Sequence, residues 1–246
     1  MLILYRIYQI FVMIPVLLVA TVLAALVTIA GSMCGASRSM GYWPGHVWAR
    51  VFCAMSLVRV RVNGRENISK STSYVFVANH QGAYDIFAIY GYLGHNFRWM
   101  MKKSLERIPF VGYSCKVSGH IFVDSSTPAA TAQTMAAAER QLSGGMSVVV
   151  FPEGSRSRDG RMHSFRRGAF KLAAEFALPV VPITIDGAYR VLRRGSLLPH
   201  WGTIVLTIHK PIMPSAETGR HELSEVMAAS EAAIASALPP SQRPVK

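Results

Sequence analysis

Between Ile7 and Ser37 no side chain carries a charge, and from Val16 to Ile29 the chain is almost wholly aliphatic. An α-helix rises about 1.5 Å per residue, so about 20 such residues cross the ~30 Å hydrocarbon core of a bilayer. The segment is long enough for that. A cleaved signal peptide would be shorter and would end in a small-x-small site; Arg6 supplies only a weak positive start and no such site follows. Met33 immediately before Cys34 is also unsuited to lipoprotein processing. A retained membrane anchor is therefore expected. A second stretch, 41–57, holds Trp43, Trp48, Val51, Phe52 and Met55 among few charges, which suits the headgroup boundary or a return beside the first helix. Residues 1–56 are expected to form this anchor, one apolar helix plus an interfacial or hairpin helix. Arg38, Arg50, Arg59, Arg61 and Arg65 follow the apolar run, which places the remainder on the cytoplasmic side.

Beyond residue 56 the pattern changes to that of an α/β domain. β-Branched and aromatic runs recur at 57–62, 74–78, 97–101, 120–123, 147–151, 180–185 and 203–209. Several are continuous rather than alternating, as in strands covered on both faces. Helical stretches lie between and after them at 129–142, 166–177 and 223–238. About seven strands alternating with helices predict a mixed, largely parallel sheet flanked by helices over 57–238, with 239–246 as a frayed tail.

A formal charge of +13 from 26 Lys+Arg against 13 Asp+Glu favours anionic partners. The apolar anchor and the lack of a basic-aromatic face point to an anionic membrane rather than nucleic acid. Three cysteines with no CxxC spacing give neither a disulfide framework nor a zinc site. Signature loops for nucleotide hydrolysis, dinucleotide binding, serine hydrolysis and zinc proteolysis are all missing.

Two constellations remain. Asn79-His80-Gln81-Gly82-Ala83-Tyr84-Asp85 directly follows the run 74–78. A His at the end of a strand points into the crevice where open α/β sheets bind ligands. An Asp five residues on, one turn into a helix, can hold one imidazole nitrogen and leave the other free to take a proton from a hydroxyl. On spacing alone the pair is weak. The second constellation is Pro152-Glu153-Gly154-Ser155-Arg156-Ser157-Arg158 after the buried run 147–151. Pro152 ends the strand, Gly154 lets the backbone turn, and Arg156 offers a forked donor suited to phosphate. His95, His120, His163 and His209 have no partner pattern. Arg193-Arg194 is either a solvated turn or a contact for anionic lipid or the phosphates of a CoA donor.

NHQGAYD and FPEGSRS resemble the first and third signature blocks of the glycerolipid acyltransferase family, whose usual forms are NHxSxxD and FPEGTRS. Lys102-Lys103-Ser104-Leu105 with Ile108-Pro109 and Gly112, then Gly119-His120-Ile121-Phe122-Val123-Asp124, is similar to its second block. Val180-Val181-Pro182-Ile183 is similar to its fourth, and Phe165-Arg166-Arg167-Gly168-Ala169 also fits. Order and spacing agree over roughly 62–211.

The resemblance implies a glycerolphosphate-acyltransferase-like fold and a reaction. His80 would be the base that deprotonates an acceptor hydroxyl, oriented by Asp85. Lys103, Glu153, Gly154 and Arg156 would bind a glycerol-phosphate acceptor, and Val181 and Pro182 would shape the acyl side of the cleft. The expected substrates are an acyl thioester, on CoA or acyl-carrier protein, and 1-acylglycerol 3-phosphate, with phosphatidate as product and no metal or other cofactor. The expected place is a bacterial-type inner membrane. Two departures stand out. Ser125 replaces the Arg that usually follows the Asp of the second block, which keeps another lysolipid or an amino-acid lipid open as acceptor. Gly82 replaces the usual Ser of the first block. A non-catalytic protein binding anionic phospholipid through the same cleft is the alternative from another class.

Overall fold

A computed structural model describes residues 1–124, 126–214 and 220–244. Helix α1 (Leu2–Met40) leads into α2 (Trp43–Met55). Seven strands follow: β1 (Val58–Asn63), β2 (Val75–Ala78), β3 (Phe97–Lys102), β4 (Ile121–Val123), β5 (Ser147–Val150), β6 (Val180–Asp186) and β7 (Gly202–Ile208). Interspersed helices are α3 (Tyr84–Tyr92), α4 (Val111–Val117), α5 (Pro128–Ser143), α6 (Gly168–Glu175), α7 (Ala188–Val191) and α8 (Arg220–Ser236). Each strand falls on one of the predicted runs. Helix α3 is the one expected to carry Asp85 in its first turn, while the short helices α4 and α7 were not foreseen.

The strands form one sheet in the order β1-β7-β6-β2-β5-β3-β4. Every neighbouring pair is parallel except β6–β7. β2 lies at the centre, with Phe76 in register with Val149 on one side and Val181 on the other. Its residues alternate between two hydrophobic clusters, one on each face. Phe76 and Ala78 join the cluster under α2 and α3, while Val75 and Val77 join the one that includes Ala138 of α5, Phe170 of α6 and Ile234 of α8. All four are fully buried, which is why this segment reads as an unbroken apolar run.

Helix α1 is the one element among the described residues long and apolar enough to cross a membrane. Leu18, Val19 and Leu23 along it are exposed, as suits contact with lipid. It is tied to the domain at both ends. Near its start, Arg6 Nη1 and Gln9 Nε2 donate to the Pro199 carbonyl at 3.1 and 2.8 Å. Near its end, the buried Arg98 donates through Nη2 to the carbonyls of Ser37 and Arg38 at 2.9 and 3.1 Å.

Two expected boundaries shift. The break at residue 56 falls inside one hydrophobic cluster, because Ala49 and Cys53 of α2 are buried in it beside strand residues and Phe52 stacks on Phe87 of α3 at 4.3 Å. Helix α2 thus belongs to the layer covering the sheet as well as to the anchor. Within the tail expected over 239–246, the described part is held to the domain through Gln242, whose carbonyl accepts from the Met162 N–H at 2.9 Å. The Ser125 departure and the last two residues of that tail lie outside the described residues.

Candidate active site

His80 leaves the sheet at its centre. One residue earlier, the buried Asn79 side chain donates to the Ile185 carbonyl at 2.9 Å and accepts from the Ile185 N–H at 2.8 Å, clamping the end of β2 to β6. The backbone of His80 is then fixed by the loop after β5. Its N–H donates to Glu153 Oε1 at 2.7 Å, and its carbonyl accepts from the Ser157 N–H at 2.8 Å. The imidazole stacks on the Phe151 ring, with centroids 3.9 Å apart and planes 10° from parallel. Nδ1 lies 2.8 Å from Asp85 Oδ2, and the His80 side chain is 13% exposed.

Asp85 sits in the first turn of α3 and is fully buried. Its Oδ2 also accepts from the backbone N–H groups of Gln81 and Gly82 at 2.6 and 2.8 Å. A carboxylate there is further favoured by the positive end of the helix. With Oδ2 as acceptor, Nδ1 carries the hydrogen, and Nε2 is left as a lone-pair base with no protein partner among the described residues. The predicted pairing of His80 with Asp85 is thus present, in the tautomer that general-base work requires.

The other predicted residues separate into groups. Glu153 was expected to touch the acceptor. It is instead 7% exposed, and its two oxygens accept from the backbone N–H groups of His80 and His163, at 2.7 and 2.9 Å. It positions the base loop. Burial raises its carboxyl to about 7 against the opposing pull of those two N–H groups. Gly154 has φ +78°, so the turn favours glycine, and the end of the Arg166 side chain lies over it. Arg156 is exposed. Lys103, at the end of β3, pairs with Asp124 at 2.9 Å and is also exposed. Because β2, β5, β3 and β4 are parallel neighbours, His80, the 153–158 loop, Lys103 and Asp124 all emerge at the same edge of the sheet.

Val181 and Pro182 do not line an opening. They pair with Phe76 and Val77 in the middle of the sheet, and Val181 has no exposed surface. The expectation that they shape the acyl side of the cleft is corrected accordingly, since side chains packed between strands and helices have no free surface to offer an acyl chain. His95 and His120 are buried, and desolvation holds them down at about 4 and about 3. His120 Nδ1 accepts from the Trp99 N–H at 3.0 Å, a structural task.

Three contributors were missed. Phe151 stood in the quoted FPEGSRS motif, but only as the end of a strand. Gln81 donates to the Gln242 side chain at 2.6 Å and to the Gly160 carbonyl at 3.1 Å, a link between segments far apart in sequence. Asn79 heads the motif, and its clamp on β6 cannot be seen without the strand order.

A strand-end histidine held by a buried aspartate, with a Pro-Glu-Gly loop fixing its backbone, defines a class. Residues 59–186 match the acyltransferase family model, and the chain belongs to that family. Among its relatives, the chloroplastic 1-acyl-sn-glycerol-3-phosphate acyltransferase of Arabidopsis thaliana is 35% identical over 68% of this chain and 48% of its own length. A 1-acyl-sn-glycerol-3-phosphate acyltransferase of Chlamydomonas reinhardtii is 31% identical over 82% of this chain and 60% of its own. The chain thus spans about half the length of these relatives. The crystal structure of the 1-acyl-sn-glycerophosphate acyltransferase of Thermotoga maritima superposes with a TM-score of 0.76 over 96% of both chains at 24% identity, which shows the same fold.

Proposed function

We propose that this chain moves an acyl group from a thioester, on CoA or acyl-carrier protein, to the free hydroxyl of 1-acylglycerol 3-phosphate, making phosphatidate at the cytoplasmic face of a membrane. The observation that carries the reading is the 2.8 Å contact of His80 Nδ1 with buried Asp85, which leaves Nε2 open at the sheet edge. The acceptor O–H gives its proton to Nε2 as its oxygen attacks the thioester carbonyl. The C–S bond breaks, and the departing thiolate takes the proton back from the imidazolium. Asp85 stays ionised and stabilises the cation that forms between these steps. Arg156 and Lys103, exposed on neighbouring loops, supply positive charge for the acceptor phosphate. Apolar α1 keeps both lipid substrates within reach of the site.

The test uses the full chain with labelled acyl-CoA and a panel of lysolipids. His80→Ala is expected to lose about 10²–10⁴-fold in kcat. Full activity in that variant would remove the general-base role. Transfer to lysolipids lacking a phosphomonoester in preference to lysophosphatidate would overturn the acceptor assignment.

A further inference from the structure

The turn running from Ala188 to Arg194, after β6, has no part in the transfer described above. β6 adjoins β2 on the side away from β5, so this turn approaches His80 from the flank opposite Lys103. It is rooted in the core by Ala188 and Val191, both buried, and three contacts seat it on the catalytic loops. Gly82 lies directly against it. A Cβ at residue 82 would come within 2.7 Å of the Leu192 carbonyl oxygen and 2.8 Å of the Ala188 carbonyl oxygen. Real Cβ atoms do not approach that closely, so the seat exists because residue 82 has no side chain. The Tyr189 ring covers Gly160, and its hydroxyl donates to the Arg158 carbonyl at 3.0 Å. Arg194 Nη1 donates to the Arg156 carbonyl through a long 3.4 Å bond.

That last bond locates the guanidinium. The Arg156 carbonyl and the Ser157 N–H belong to one peptide unit, and the Ser157 N–H donates to the His80 carbonyl. One peptide width separates the two bonds, so Arg194 Nη1 lies within about 9 Å of the His80 carbonyl oxygen. Arginines outnumber carboxylates here, and the exposed Asp159 of the same loop has its Oδ1 taken up by the Ser157 hydroxyl and the Arg161 N–H at 2.8 and 3.0 Å. Asp186 is engaged with Arg190 at 3.5 Å, whereas Arg156, Arg158, Arg193 and Arg194 have no carboxylate partner among the described residues. Four exposed guanidiniums around one loop repel each other, and a bound anion relieves that repulsion. Among the described residues, only one of the five N–H donors of Arg194 has a protein partner, which leaves the fork free for a phosphate.

We propose that Arg194, with Arg193 beside it, is a phosphate-holding subsite, carried on the α7 turn and set against the catalytic loop by Gly82. Its ligand class is a phosphate ester, either the headgroup of the acceptor or the phosphates of a CoA donor, and in that respect it rests on the function proposed above.

Binding of glycerol 3-phosphate and of CoA to the full detergent-solubilised chain is measured by calorimetric titration. The wild type is compared with Arg194→Ala, Arg193→Ala/Arg194→Ala and Arg194→Lys. Lys70→Ala, an exposed charge before β2 at the opposite edge of the sheet, controls for net charge. Arg194→Ala should weaken one probe about tenfold, the double variant more, and Arg194→Lys less, since lysine keeps the charge but loses the fork. A loss confined to glycerol 3-phosphate assigns the acceptor; a loss confined to CoA assigns the donor. In turnover, the same split should appear as a raised KM for lysophosphatidate but not monoacylglycerol, or for acyl-CoA but not a phosphate-free N-acetylcysteamine thioester. Unchanged binding of both probes in the double variant, an equal loss in Lys70→Ala, or no binding by the wild type would overturn the subsite. A wild type that binds phosphate through Arg194 yet acylates nothing would overturn the proposed function and leave the subsite standing.

Discussion

Around His80 the groups that fix the base collect several partners each, although Asp85 Oδ1 and Gln81 Oε1 are buried without one among the described residues, whereas the cations flanking it are held by one bond or none. On the base side, Asp85 Oδ2 collects three donors, Glu153 collects two, and Phe151 fixes the plane of the ring. On the cation side, Lys103 has a single exposed ion pair and Arg194 a single long hydrogen bond. The two sides do different work. A base must offer its lone pair in one direction at the moment of proton transfer, so its neighbours are arranged beforehand. A cation attracts its phosphate over many angstroms and closes on it afterwards, and a rigid, dry setting would cost more in desolvation than it returned.

The largest effect should come from unpicking the rigid side. Asp85→Ala removes the acceptor of the His80 Nδ1–H and leaves two backbone N–H groups without theirs. A fall in kcat of about 10³–10⁴-fold is expected, by analogy with loss of the orienting carboxylate in other histidine bases. KM should move far less. A fall in kcat smaller than tenfold would show that the ring is oriented by the Phe151 stack alone, and the contrast between the two sides would collapse.

Gly82→Ser tests where the sides meet. It installs the residue usual in the resembled motif, yet the added Cβ would strike two backbone carbonyls of the α7 turn. Overpacking of this kind costs about 1–3 kcal/mol. The turn should be pushed off the loop, so the KM effect should match that of Arg194→Ala while Asp85 keeps its donors. A fully active Gly82→Ser enzyme with unaltered KM would mean that the turn yields freely and is not seated by the glycine.

How much of this could be seen beforehand follows from the range of each interaction. The strands were legible because β2, β5 and β6 are buried on both faces and so write continuous apolar runs. α3 was legible only through Asp85, expected one turn into a helix, because its buried residues surround it instead of marking one stripe, and α7 was hidden because four residues carry no period. His80 and Asp85 are five residues apart, and one local turn suffices to join them. The duty of Glu153 could not be read from sequence. The resemblance to the family implied a ligand contact, while the partners of this carboxylate are backbone groups from two other segments. Val181 failed for the converse reason: its motif marks a functional block, but its register opposite Phe76 makes it core.

Glu153 also gives the rigid side a signature in pH. Burial raises its carboxyl from the ordinary 4.5 to about 7. Between those values the folded chain holds a proton that the unfolded chain has released, so its contribution to stability is fully present below about 4.5 and is lost as pH rises to about 7. Melting temperature should therefore decline across that window, and Glu153→Gln should flatten the decline while lowering stability throughout, because its amide nitrogen cannot accept from a backbone N–H. An identical slope in Glu153→Gln would assign the titration to another group.

The smallest expected effect lies farthest from the chemistry. Gln242 reaches the catalytic motif from the C-terminal segment, accepting from Gln81 at 2.6 Å while its backbone carbonyl holds Met162. Both glutamines are buried, so Gln242→Ala leaves one donor of Gln81 without an acceptor. The Met162 contact survives, since it uses the backbone. A loss of about 1–3 kcal/mol is expected, read as a lower midpoint in denaturant, with kcat reduced no more than severalfold. The Gln81 N–H already bonds to Asp85, and that bond does not depend on its side chain. If kcat instead fell as far as in Asp85→Ala, the rigid side would extend through Gln81 to the end of the chain. Its order would then be maintained from outside the motif, with Asp85 only the nearest link.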